Sequence, residues 1–319
     1  MMNLKVLHQQ VKEMISAINY EEIWSGFYPG KFALYTGETC CFDGEYIEKP
    51  VDFCANTALK YGEEYIAIWD VTEELPLPVL VAKIVHELFH AFQLKNWEEC
   101  WSNEMEALFQ YEYREDNLSL KRRENNLLIA LFSNFEQEKW EEFQALRCYR
   151  KDSFSYETQY ERCVEEIEGI KLLQDSENYF PVRFSCYYAG ALLVMAWKNA
   201  SRRLCGQQHT MFAMEKTVPV KAESIARYQR EGGIGMVLQE YQQETEKMIT
   251  STVSKNEILL EGPVKLRSVN VFDARRQGDY VTSRFFLMYQ VGEEDHVIKE
   301  NVVIKMRDEK IIDRVYRMV

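Results

Sequence analysis

Residues 86–90, His86-Glu87-Leu88-Phe89-His90, have the types and the spacing to bind a metal ion and use it. Two imidazoles one helical turn apart reach a single zinc ion at about 2.0–2.1 Å, and the residue after the first histidine faces a bound water that its carboxylate can deprotonate. The surrounding segment, residues 79–97 (VLVAKIVHELFHAFQLKNW), is apolar on nearly every side, which predicts a buried helix. Its polar residues Lys83, His86, Glu87, His90 and Gln93 fall at offsets of 0, 3, 4, 7 and 10 and form one stripe along that helix. Polar groups buried without partners are costly, and one zinc ion is the economical partner for this stripe. The chain has five histidines, so this motif holds two of the few available nitrogen ligands.

A catalytic zinc takes a third protein ligand and keeps a position open for water. His209 follows a polar turn and His296 reads as part of a charged β-turn, so a carboxylate is expected. Glu168 lies in Val164-Glu165-Glu166-Ile167-Glu168-Gly169-Ile170, on a helix where Glu157, Glu161 and Glu165 share its face. Gly169 would let that helix come close to the zinc helix, while the other acids of the face read as a solvated surface. Glu104, in Trp101-Ser102-Asn103-Glu104, lies near the start of a helix for which Ser102 is a candidate N-cap. If the zinc helix runs to Asn96, its end lies about 9 Å beyond His90, and Glu104 reaches the metal only if that helix ends early. Glu168 carries no such constraint, and both stay as candidates.

The elements that must position these residues fall into three stretches. Over residues 1–78 a helix at 3–18 precedes short β-like runs, Lys31-Phe32-Ala33-Leu34-Tyr35 and Glu64-Tyr65-Ile66-Ala67-Ile68-Trp69, with turns at Thr36-Gly37 and Asp43-Gly44. Residues 79–253 are predominantly helical after Pro76 and Pro78. Residues 254–319 return to β-branched alternation, as in Val269-Asn270-Val271-Phe272, Phe285-Phe286-Leu287-Met288-Tyr289, Val302-Val303-Ile304 and Ile311-Ile312, and predict an antiparallel β unit. The expected class is α+β: a mainly helical core with a small N-terminal sheet and a C-terminal antiparallel β unit.

A net charge of −13 argues against a nucleic-acid partner. The longest apolar run noted, residues 187–197, is about half of what spans a bilayer, and no secretory signal is legible at the start, so a cytoplasmic protein without a membrane partner is expected. Eight cysteines without C-x-x-C spacing suit free thiols, and the vicinal pair Cys40-Cys41 reads as core strand. Oligomeric state has no signature.

With these motifs the chain resembles the gluzincins, zinc metallopeptidases that take two ligands from His-Glu-x-x-His and a third from a glutamate on a later helix. Glu168-Gly169 matches the start of the Glu-Gly-x-Ala-x-Tyr segment of many bacterial members, with Lys171 and Leu173 in place of the Ala and Tyr. Asn103-Glu104 looks like the Asn-Glu of the aminopeptidase and thermolysin branches. The resemblance implies a zincin-like core with one zinc ion, a peptide or protein substrate aligned by an edge strand, and a residue that steadies the oxyanion. Residues 64–69 are the candidate strand, and Tyr187 or Tyr188 the candidate oxyanion partner. The expected reaction is attack of a zinc-bound water on an amide carbonyl, with Glu87 first as base and then as proton donor to the leaving amine. The rival expectation is an inactive or non-peptidase zincin-like binding module with a structural metal.

Overall fold

The computed structural model describes residues 3–98, 101–168, 180–186, 189–190, 192–193, 196, 221–231 and 233–318. The protein is α+β, as expected, and divides into two compact units: Met1–Trp101 with Asp295–Val297, and Ser102–Glu294 with Ile298–Val319. The helix that carries His86 and His90 belongs to the same unit as the N-terminal sheet. Apart from Asp295–Val297, the C-terminal strands share their unit with the helices of the second half of the chain.

In the first unit, helix α1 (Leu4–Ser16) is capped by Asn3, whose side chain accepts from Val6 N, and buries Leu4, His8, Val11 and Ile15 at alternating spacings of four and three. Five strands follow: β1 (Phe32–Thr36), β2 (Thr39–Phe42), β3 (Glu45–Glu48), β4 (Thr57–Tyr61) and β5 (Glu64–Asp70). Their order is β3-β2-β1-β5-β4, with β1 and β5 parallel and the other neighbours antiparallel. Asp43 and Gly44 take the positive φ values of 47° and 86° that close the β2–β3 hairpin. Cys40 and Cys41 are buried free thiols of β2.

Period-two alternation sorts this sheet's faces. Phe32, Leu34, Ala67 and Trp69 pack with α1 and with helix α3 (Leu77–Trp97), while Ala33, Tyr35, Ile66 and Ile68 join Phe53 on the opposite face. Pro78 sits in the first turn of α3, where its missing N–H costs nothing. This helix is long and apolar enough to span a membrane by length and composition alone, yet less than half of its most apolar window is buried. Lys83 is exposed, so the helix is buried on one side rather than all round.

The second unit contains α4 (Glu104–Gln110), α5 (Glu115–Ser133), α6 (Gln137–Ser153), α7 (Ser155–Glu168) and the helices Ala222–Glu231 and Ile234–Lys255. The C-terminal sheet has seven strands, β6 (Ile258–Val269), β7 (Arg275–Gln277), β8 (Tyr280–Ser283), β9 (Leu287–Val291), β10 (Glu294–Ile298, of which Asp295–Val297 count with the first unit), β11 (Val302–Met306) and β12 (Ile311–Arg317), in the order β10-β9-β6-β12-β11-β8-β7. The strand expected at 269–272 ends at Val269, and His296 lies within β10 rather than in a turn. Gly262 is required at its position, because a Cβ there would lie 2.1 Å from the Ile312 carbonyl oxygen of β12.

The acidic face of α7 is not solvated. Glu157, Glu161 and Glu165 are buried, and the last two meet cations from α5 and α6. Arg150 donates to both Glu161 oxygens at 2.7 and 2.9 Å, to Glu124 at 2.9 Å and to Asn117 at 2.9 Å. Arg147 donates to both Glu165 oxygens at 2.6 and 3.1 Å, and Lys121 pairs with Glu165 and, at 3.4 Å, with Glu161. Three cations thus balance three carboxylates in the interior. Burial pushes the Glu161 carboxyl up, but Arg150 and Lys121 outweigh it and hold it at about 2.

Removing one partner leaves buried charge unpaired, so Arg150→Met is expected to lose about 3–5 kcal/mol in urea unfolding followed by circular dichroism. Because the folded-state value of Glu161 lies below its ordinary 4.5, its stabilisation is present above that pH and disappears as pH falls towards 2. The variant should show less of that acid dependence than the native chain. Equal stability of the two at neutral pH would refute the role given to the network.

Candidate metal centre

Helix α3 carries two opposed stripes. Leu80, Ile84, Leu88 and Ala91 are buried, the first three within the core shared with the sheet. His86, His90 and Gln93 project from the far side, as 100° per residue dictates. Phe89 and Phe92 flank them and meet Phe27 edge-on and tilted, at 5.1 and 5.3 Å between ring centroids. The histidine turn is therefore gripped by packing on two sides.

The two imidazoles converge, with His86 Nε2 and His90 Nε2 2.9 Å apart and the rings nearly perpendicular at 80°. His90 is buried, and its Nδ1 lies 2.8 Å from Gln93 Oε1. Since an amide oxygen only accepts, His90 Nδ1 carries the proton and its Nε2 lone pair points towards His86. A second acceptor on the outer nitrogen is how proteins fix a metal-binding histidine. Tetrahedral zinc would hold two nitrogens about 3.3 Å apart, so the pair needs to open slightly to take the ion. Glu87, at the next position after His86, is half-buried.

Trp101 completes the surroundings of His90, edge-on at 5.4 Å between centroids. Its indole N–H is buried and hydrogen-bonds to no described group. A buried donor without an acceptor suits a site that receives an oxygen atom. Sequence reasoning passed over Trp101, and its signal would have been the bulky indole so soon after the zinc helix.

The remaining candidates divide. Tyr188, with Tyr187, lies outside the described residues. Glu168 is the last residue of α7, and its side chain lies outside the description, as does Gly169. Helix α3 runs on to Trp97, and Glu104 opens α4 in the second unit, capped by Asn103 rather than Ser102. The Glu104 carboxylate accepts from Ser102 Oγ at 2.7 Å and Tyr160 Oη at 2.8 Å and pairs with Arg183. The candidate substrate strand at 64–69 is β5, which is interior to its sheet; the open edges are β3 and β4.

Among the described residues one other group of potential metal donors comes together, Glu161, Glu165 and Cys186. Its carboxylates already neutralise Lys121, Arg147 and Arg150, and burial holds the Cys186 thiol strongly protonated. A divalent ion would have to enter against three fixed cations, so this donor set fits a metal poorly.

No protein-family model matches the chain, and no curated protein or solved structure matches it. The geometry of the histidine pair yields its own test. In metal-stripped protein, 15N NMR of His90 should show the Nδ1–H tautomer, and Gln93→Leu should shift it towards Nε2–H. An unchanged tautomer in the variant would mean that Gln93 does not orient the ring.

Proposed function

We propose that the chain is a zinc-dependent metallopeptidase whose metal is held by His86 and His90, with Glu87 as its acid and base. The observation that carries this reading is the convergence of the two Nε2 atoms at 2.9 Å with Gln93 behind His90. The buried Trp101 N–H beside His90 supports it.

A zinc ion bound there supplies a Lewis acid that polarises the scissile carbonyl and makes water more acidic. Glu87 takes a proton from the attacking water and returns it to the leaving amine. The indole N–H of Trp101 is a donor for an oxygen at the site. Strand β4 takes the substrate-aligning role first given to residues 64–69. It is antiparallel to β5, open on its outer side and in contact with α3, and an extended peptide can add to such an edge. Glu168 and Glu104, the residues expected as third ligand, belong to the second unit, and Glu104 there is engaged by Arg183 and Tyr160.

That engagement favours a second reading, a catalytically inactive zincin-like binding module with a structural metal. The same variants separate the two. Purified native protein is expected to contain zinc by elemental analysis and His86→Ala to lose it, while Glu87→Gln keeps the metal and loses cleavage of a peptide library. Zinc in neither protein would defeat the proposal. Zinc present with equal cleavage, or none, in native protein and Glu87→Gln would favour the second reading.

A further inference from the structure

Helix α1 packs on β1, β2 and α3 through Leu4, Val11 and Ile15, and among these apolar side chains it buries one that titrates, His8, which is 1% exposed. The His8 ring stacks on Phe32 of β1, with centroids 4.1 Å apart and planes 11° from parallel. Its Nε2 lies 3.2 Å from the Phe32 carbonyl oxygen. A carbonyl oxygen only accepts, so Nε2 carries the proton and Nδ1 keeps the lone pair. Nδ1 is buried and hydrogen-bonds to no described group. The stack and the bond together fix the ring, so Nδ1 reaches water only if α1 moves.

The charged groups around His8 are matched with one another. On α1, Lys12 pairs with Asp43 of the β2–β3 turn at 3.2 Å, and Lys5 pairs with Glu45 of β3 at 2.6 Å. Lys31, just before β1, pairs with Glu64 of β5 at 2.6 Å. From β2 comes the Cys41 thiol, which burial keeps protonated. Helix α3 brings Leu80, Ile84 and Leu88 to the shared core, while its Lys83 lies over the Trp69 ring. Among the described residues none of these groups forms an ion pair with His8. Lys12 opposes a second proton on His8 and Asp43 favours it, so these two work against each other. Burial pulls the imidazole below its ordinary 6.5, and the Phe32 carbonyl offsets this only in part. A second proton would put a buried cation at Nδ1 with nothing to accept from it.

We propose that His8 is an acid-sensitive latch, which holds α1 on the N-terminal sheet while neutral and releases it when the imidazole takes a second proton. Water then solvates the new N–H, and the release uncovers Phe32 and Leu34, which share their core with Ile84 and Leu88 of α3. The detached helix takes the proton near 6.5, and the docked helix only at lower pH. Docking is therefore at full strength above 6.5 and is lost as pH falls from there towards the docked value. The latch does not depend on a metal at His86 and His90.

Amide hydrogen exchange of the full chain, read by mass spectrometry at about pH 7.5 and about pH 5.5 and corrected for the intrinsic rate at each, tests this. The opening constant of the α1 amides should rise about five- to tenfold between the two, the range that one proton allows. Amides of α5 should not follow, since Arg150 and Lys121 hold Glu161 at about 2, far below this window. His8→Gln, whose amide can still donate to the Phe32 carbonyl, and His8→Phe, which keeps the stack, both retain His86 and His90 and should lose the rise. Should neither variant fold, the native chain still decides: exchange at the His8 ring C2 position, which reports the imidazole's own titration, should place it below 6.5. The proposal fails if α1 opens equally at both pH values, if α5 opens by the same factor, if the rise survives in His8→Gln and His8→Phe, or if His8 titrates at or above its ordinary value.

Discussion

An arginine with no exposed surface must have its charge balanced within the fold, and Arg150 is such a residue. Its guanidinium is shared among Glu124, Glu161 and Asn117, so α5, α6 and α7 have to meet in one register to satisfy it. Lys121 and Arg147 repeat the demand one turn away. Apolar contacts tolerate small slips, but here a slip would leave a charge in the interior at a cost of several kcal/mol. The hydrophobic clusters around the network, such as Leu120, Leu128, Phe143 and Leu146, supply bulk stabilisation, and the charges select the arrangement.

The first unit solves a different problem with the same economy. Helix α3 has one apolar stripe that must be buried and another of polar side chains, and the sheet takes the first so that the second faces away. The parallel pairing of β1 with β5 matters here. It sets Phe32, Leu34, Ala67 and Trp69 on one face, giving α3 a continuous apolar bed. Placement of His86 and His90 is then a consequence of Ile84 and Leu88 being held.

Much of this was legible in the sequence, because local periodicity states which face of an element is buried. The stripe from Lys83 to Gln93, the strands of the N-terminal sheet and the turn at Asp43-Gly44 all follow from patterns a few residues long. What was misread depended on partners far along the chain. Glu161 and Glu165 look like any solvated acidic face until Arg147, Arg150 and Lys121 are brought against them, and no spacing rule links residues 121 and 165. Strand β5 was taken for an edge because edge or interior position is decided by β4, which pairs outside it. Composition changes at Pro76–Pro78, yet α3 packs backwards onto the strand that precedes it.

The two kinds of polar interior each leave a few buried atoms unsatisfied. In the α5–α6–α7 network every cation meets a carboxylate, yet Glu124 Oε1, Arg147 Nε and Asn117 Nδ2 make no hydrogen bond among the described residues. Around His90 the two imidazoles pair with each other, with Gln93 behind His90. The Trp101 indole N–H beside them has no hydrogen-bond acceptor among the described residues. Folding free energy does not favour such atoms, and what holds them in place is the pairing of the charges and rings around them.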